Sequence, residues 1–184
     1  MSRVGKLLVS HPHIPREEWF YKTVIYIYQD DPKKGTLGLT VNVPTNMTIK
    51  KVCYDKGILF PDSTKLLHKG GPVNGTAVIM LHSNEWTASN TTAGGDAYSL
   101  TSDNMMFEKI SMDDQPAYWR MCLGVCAWQP GQLDMELKGQ FPYSASNSWL
   151  TCDANDDILF NYDGEEQWTQ ALELSSKQMI NSFF

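Results

Sequence analysis

The sequence predicts an α+β fold: a single compact domain over residues 1–184, with a largely antiparallel β-sheet and a few short helices packed on it. Two observations carry this reading. Runs rich in β-branched and aromatic residues follow one another through short, turn-rich links, the pattern of hairpins rather than of βαβ crossovers. Helical spacing appears only in brief stretches between them, with no internal repeat. At 184 residues, 42% of them hydrophobic, the chain can bury roughly 70% of the surface of its unfolded form, enough for one core.

The first strands are "GKLLVS" and "TVIYIY", the second apolar on both faces and so covered on both. A charged Pro/Gly turn, "QDDPKKG", leads to "TLGLTVNVP", where Leu39, Val41 and Val43 alternate with Thr40 and Asn42. These two runs should pair as a hairpin, with Pro44 ending the ladder because it lacks an N–H. Asn46 is placed to cap a short helix in which Ile49, Val52 and Cys53 recur at helical spacing, and Gly57 offers a stop.

After "HKGGPV" comes "TAVIMLHS", a near-continuous apolar run that reads as a buried strand. The polar "EWTASNTTAGGDAYSL" reads as the longest exposed loop, with a short strand at Ala97 to Leu100. Ser102 is placed to cap a helix carrying Met106 and Ile110 one turn apart, closed by Pro116.

Tyr118 to Trp128 reads as a long strand running into "AWQPGQLDMEL". There Gln129-Pro130-Gly131-Gln132 puts Pro and Gly at the central places of a type II turn, which want a fixed φ and then a positive φ. Leu133 and Leu137 lie one helical turn apart, Lys138 suits a helix C-terminus, and Gly139 can end the helix. "SWLTCD" and "DDILFNY" then precede a last helix from near Gly164. In it Trp168, Ala171 and Leu172 share a face, and Glu165 and Glu166 favour the N-terminal end of the dipole.

A net charge of -6 gives no general attraction to phosphate backbones or anionic lipids, so specific nucleic-acid binding is not expected. No membrane segment is expected either, since the opening "MSRVGKLLVSHPHIP" holds only the short apolar run Leu7 to Ser10. The expected compartment is therefore the cytoplasm, where Cys53, Cys122, Cys126 and Cys152 stay reduced.

Cys122 and Cys126 would share a metal if their four-residue spacing lay on a helix. On a strand their Cα atoms are about 13 Å apart on the same face, too far for a disulfide or a common zinc. They read as buried small hydrophobes. His11 and His13, flanking Pro12, lack any CxxC or HExxH companion and read as a surface turn. His82, at a strand end, is a better pocket candidate, although no nucleophile stands beside it in sequence. "KGGPVNG" lacks the spacing of a phosphate loop, so its glycines serve a turn or close backbone packing. Asp134 and Glu136, two residues apart on a short helix, point apart rather than at one substrate.

Together these pieces resemble the AlgH/YqgE family of small bacterial and plant proteins. The likeness runs through "GKLLVSHPHI", "KTVIYIY", "GTLGLTVNVPT", "KGGPV", "MLH", "AWQPGQLDMEL", "SWL", "DILF" and the Trp168 helix, nearly the whole chain. The chain departs from the family pattern where Val73 leads into Asn74-Gly75-Thr76 in place of an acidic and basic pair. Val125 replaces a Tyr, Asp134 replaces a Glu, and "QFPYSAS" looks inserted. The resemblance implies a compact α+β domain with antiparallel sheet and no settled enzymatic reaction; some members are described as transcriptional regulators. No helix-turn-helix is present in this sequence to read an operator.

The expected function is a cytoplasmic, non-enzymatic, regulatory module acting through a protein partner or a small ligand, with no cofactor and no metal. Its candidate contacts are Asn42, His82, Trp128, Gln132 and Glu136, around structural turns at Gly70, Gly71, Pro72, Pro130 and Gly131. A pocket is expected where the His82 strand end, the GGPV turn and the Trp128 turn converge. The alternative is a small hydrolase or thiol-dependent enzyme using His82 with a cysteine or carboxylate. Gln132→Ala and Glu136→Ala are expected to cost less than about 1 kcal/mol each, as polar residues on a turn and a short helix.

Overall fold

The structure, a computed structural model, describes residues 1–61, 64–140, 142 and 148–184. The first hairpin forms as its sequence predicts. β1 (Lys6–Ser10) lies antiparallel to β2 (Val24–Asp31), which pairs with β3 (Gly35–Thr40) around the charged turn. Pro44 does not end that ladder. It opens a further strand, β4 (Pro44–Thr48), which contains Asn46. The cap of α1 (Ile49–Asp55) is accordingly Thr48, whose hydroxyl accepts from the Lys51 N–H at 3.2 Å.

β5 (Leu66–Lys69), too short to show a pattern, precedes β6 (Val73–Ser83), which begins earlier than its apolar run suggests. The long polar loop contains β7 (Thr92–Ala93) and ends in β8 (Tyr98–Thr101), close to the predicted position. It is not exposed throughout, since Trp86 is buried with its indole N–H on the Asp114 carbonyl. α2 (Asn104–Ser111) is capped by Asp103, which accepts from Met106 N–H at 2.8 Å. Ser102 instead donates to the Val78 carbonyl.

β9 (Trp119–Trp128) is the long strand expected, and the turn after it is as predicted. The Gln132 N–H bonds the Gln129 carbonyl at 2.9 Å and Gly131 sits at φ 78. α3 (Gln132–Leu137), β10 (Trp149–Asp153), α4 (Asp156–Phe160) and α5 (Gly164–Asn181) complete the chain. "DILF" is thus helical, started by Asn155, which accepts from Ile158 N–H. The segment "QFPYSAS" falls mostly outside the described residues.

The strands form one sheet in the order β10-β1-β2-β3-β9-β6-β8-β7, antiparallel throughout. β5 lies parallel to β9 and carries β4 on its other edge. Alternation along each strand sorts the core onto two faces. Leu7, Val9, Tyr26, Leu39 and Leu81 pack against Ile158, Leu159, Trp168 and Ala171 of α4 and α5. On the other face Met80 and Met121 meet α1 and α2, while Leu8, Ile25 and Trp128 meet Leu133 of α3.

Gly124 breaks that alternation. At φ 78, with Gly71 O only 2.5 Å from where its Cβ would stand, it shifts the phase of β9 by one residue. Cys122 therefore joins the α5-side core and Cys126 the opposite one. The two thiols thus do not share the one face on which regular strand spacing would put them; both are free and buried.

Candidate functional site

The residues singled out from sequence do not converge on one pocket. Along the β6–β9 ladder His82 faces Trp119 at one end and Val73 faces Val125 at the other. The GGPV turn and Trp128 thus share an end that His82 does not. His82 is fully buried. Its Nδ1 donates to the Ser83 carbonyl at 2.8 Å and its Nε2 accepts from the Thr101 hydroxyl at 2.9 Å, which in turn meets Thr91 at 2.7 Å. Burial lowers its pKa, against weaker opposing effects of the Ser83 backbone and Glu85. Both ring nitrogens are committed inside the protein.

Asn42, 2% exposed, is also fully engaged. Its Oδ1 accepts from Val24 N–H, and its amide donates to the carbonyls of Lys22 and Gly164. It fastens the start of β2 to the first residue of α5. Gln132 and Glu136 turn inward across α3. Gln132 accepts from Gln129 N–H and donates to Glu136, whose carboxylate also takes the indole N–H groups of Trp128 and Trp149.

The turn glycines act by close approach as well as by conformation. A Cβ on Gly70 would meet Gly124 O at 2.2 Å, and one on Gly71 would meet Val125 C at 1.9 Å. Gly131, following Pro130, has open space around it and is set by φ alone. Pro72 lies in the bend between β5 and β6.

Charged side chains do gather elsewhere. Between β5, β9 and the start of α5 lies a cavity of about 220 Å³ whose polar lining includes Lys65, His68, Arg120 and Asp163. Arg120 is 7% exposed and His68 is 4% exposed. One Arg120 nitrogen donates to the Val41 carbonyl and to Gln167 Oε1, the latter at 2.8 Å. The other donates to the Tyr162 carbonyl at 3.1 Å and meets Asp163 Oδ1 at 3.3 Å.

His68 faces oxygen on both nitrogens, with Nδ1 3.1 Å from the Leu66 carbonyl and Nε2 2.6 Å from Asp163 Oδ1. Burial pushes the Asp163 carboxyl pKa up, but the His68 hydrogen bond and the Arg120 charge together hold it below the ordinary aspartate value. Lys65 stands 3.9 Å over the Trp119 ring, and burial, with Arg120 nearby, lowers its pKa. The cleft therefore sets Arg120, Lys65 and the His68 ring around the Asp163 carboxylate, while Trp119 and Phe160 supply apolar wall.

The thiols offer no comparable chemistry. Burial pushes Cys122, Cys126 and Cys152 up to about 12 and Cys53 up to about 11, the reverse of what thiolate activation requires. Among the described residues no three His, Cys, Asp or Glu side chains stand where they could share a metal ion. Nor is any helix among them long and apolar enough to cross a membrane.

A family model described as AlgH-like matches residues 7–179. The chain belongs to the AlgH-like family. It is 32% identical over 167 residues to a UPF0301 protein of Marinomonas sp. (strain MWYL1), covering 89% of this chain and 84% of that one. A UPF0301 protein of Caulobacter vibrioides (strain NA1000 / CB15N) is 33% identical over 177 residues, 92% of this chain and 85% of the relative. The solution structure of the AlgH protein from Pseudomonas aeruginosa superposes with a TM-score of 0.76 at 24% identity, over 95% of this chain and 89% of that one. A crystal structure from Corynebacterium diphtheriae gives 0.68 at 22% identity, over 90% and 83%. These likenesses show that the α+β architecture is that of the AlgH-like fold.

Sequence reading missed the AlgH-like chain's charged cleft, although one signal for it was present. Arg120 stands inside "YWRMCLGVCAW", an otherwise apolar strand, where a charge stays only if partners are built around it. Those partners come from residues 41, 162, 163 and 167, which only the fold brings together.

Proposed function

We propose that the protein is a non-enzymatic, regulatory binding module that holds a small anionic ligand in the cleft between β5, β9 and the start of α5. The observation that carries this reading is that Arg120 and His68, both buried, share a single carboxylate while Lys65 stands at the same cavity. Both aim donors at one carboxylate oxygen of the half-exposed Asp163, so an anion arriving from solvent meets donors already in place. The cavity is concave, part apolar and part charged, as ligand sites tend to be. The committed nitrogens of His82 and the raised thiols favour binding over turnover by His82 and a cysteine.

The test is thermal denaturation of the purified protein with small carboxylates, inorganic phosphate, amines and neutral solutes at matched ionic strength. At 100 times its Kd a ligand stabilises by about 2.7 kcal/mol, which raises Tm by several degrees. The expected result is such a shift with an anion, reduced in Lys65→Met, which keeps the stem over Trp119. A protein indifferent to every anion beyond the salt control would dispose of the reading.

A further inference from the structure

We propose that the floor of this cleft is a carboxylate-binding site that the chain fills with its own Asp163, and that the ligand is a small organic carboxylate which displaces it. This rests on the reading of the cleft as a binding site and names its ligand class.

Asp163 occupies the N-cap position of α5 in the extended conformation of a cap, φ -136 and ψ 163, yet its side chain makes no capping hydrogen bond. The caps of α1, α2 and α4, which are Thr48, Asp103 and Asn155, all accept one. Gly131, before α3, has no side chain to offer. Asp163 is the exception because His68 and Arg120 hold its Oδ1. One carboxylate thus has two competing uses: it can cap the helix or it can accept from the buried Arg120 and His68.

The burial of the partners says which of them can leave. The side chains of His68 and Arg120 are 6% and 7% exposed, whereas that of Asp163 is 56% exposed. Neither side chain depends on Asp163 alone for its position. Arg120 is also held by the Val41 and Tyr162 carbonyls and by Gln167, and His68 by the Leu66 carbonyl. If Asp163 swings toward its own helix, a preformed pair of donors remains, reachable from the side where the carboxylate now stands. Charge-assisted hydrogen bonds of the same kind would then form to the incoming carboxylate.

The rest of the cleft fits an organic acid better than a bare inorganic anion. Trp119 and Phe160 line it beside the charges, and about 220 Å³ accommodates an acid with a small apolar body. The displaced Asp163 is free to accept from the first-turn N–H groups of α5, so ligand binding is coupled to the start of the helix that Asn42 fastens to β2. Because the internal carboxylate competes, the intact protein binds more weakly than the open site, in proportion to the fraction of time Asp163 is away.

Removing the competitor tests this. Parent, Asp163→Ala and the near-isosteric Asp163→Asn are titrated with acetate and benzoate, and with phosphate, at constant ionic strength; calorimetry gives Kd and melting gives the rescue of stability. The proposal expects Asp163→Ala to bind benzoate at least tenfold tighter than the parent, to lose melting temperature without ligand, and to regain it with carboxylate. Should Asp163→Ala fail to fold, Asp163→Asn carries the same expectation, at least threefold. Equal carboxylate affinity in parent and variants overturns the displacement but leaves the cleft as a binding site. Binding of phosphate alone overturns the ligand class and leaves the cleft. No anion binding in any of the three chains removes both.

Discussion

The Glu136 carboxylate accepts the indole N–H of Trp149 at 2.8 Å, tying α3 to β10. The same oxygen takes the Trp128 indole N–H at 3.0 Å, and the other oxygen takes the Gln132 amide at 2.8 Å. Both indoles are 4% exposed, so this acid is the acceptor for two buried donors. Glu136→Ala should therefore cost about 2 to 6 kcal/mol, at roughly 1 to 3 per orphaned donor, rather than the small change its sequence position suggests. Glu136→Gln, which keeps one acceptor oxygen, should cost about 1. Urea unfolding followed by circular dichroism decides; an alanine variant as stable as the parent would show that water replaces the carboxylate.

Two glycines separate backbone strain from steric clash. Gly131 has a positive φ and open space, so Gly131→Ala should cost about 1 kcal/mol and Gly131→Val about 1 to 3. Gly71 has no room, because an added Cβ would lie 1.9 Å from Val125 C and 2.3 Å from Cys126 N, both backbone. Gly71→Ala must then part β9 from the turn, and the variant should be insoluble or lose more than about 4 kcal/mol. Equal tolerance at both positions would mean that the turn before β6 adjusts freely.

How much was legible depended on whether the information was local. The β2–β3 hairpin, the Pro130-Gly131 turn, the β9 strand and the Trp168 face of α5 each follow from a few adjacent residues. Caps were misplaced by one or two residues, at Asn46 for Thr48 and Ser102 for Asp103, because several candidate side chains stand in a row and geometry selects among them. The phase shift at Gly124 was invisible, since its cause, Gly71 O, lies more than fifty residues away. The Lys65, His68, Arg120 and Asp163 cluster left one local trace, Arg120 in an otherwise apolar strand, and the partners gathered around it were hidden for the same reason.

The thiols should be silent in the native state. All four are buried, and Cys122, Cys126 and Cys152 are pushed up to about 12 from 9.0. A thiol reagent at pH 7.5 should label none until denaturant is added, and then four. Between pH 9 and 12 the unfolded chain releases thiol protons that the folded chain retains, so stability falls as pH rises through that window. Fast labelling of the native protein would place a cysteine at the surface.

His82 sets a matching loss on the acid side. Its folded pKa lies below 6.5, chiefly because burial disfavours the imidazolium, and its Nε2 accepts a hydrogen bond from Thr101 that only the neutral ring can accept. Below pH 6.5 the unfolded chain gains a proton that the folded chain resists. The contribution of His82 is thus present above its unfolded pKa and disappears as pH falls through the folded one, with a slope of at most about 1.4 kcal/mol per pH unit. Measured on parent and His82→Gln from pH 8 to pH 5, the stability advantage of the parent should shrink as pH falls, because other groups titrate alike in both and cancel in the difference. A difference that stays constant across this range would mean that His82 is equally protonated in both states, and one that grows as pH falls would mean that it is charged in the folded protein; either result would overturn the buried neutral ring assigned from the Ser83 and Thr101 contacts.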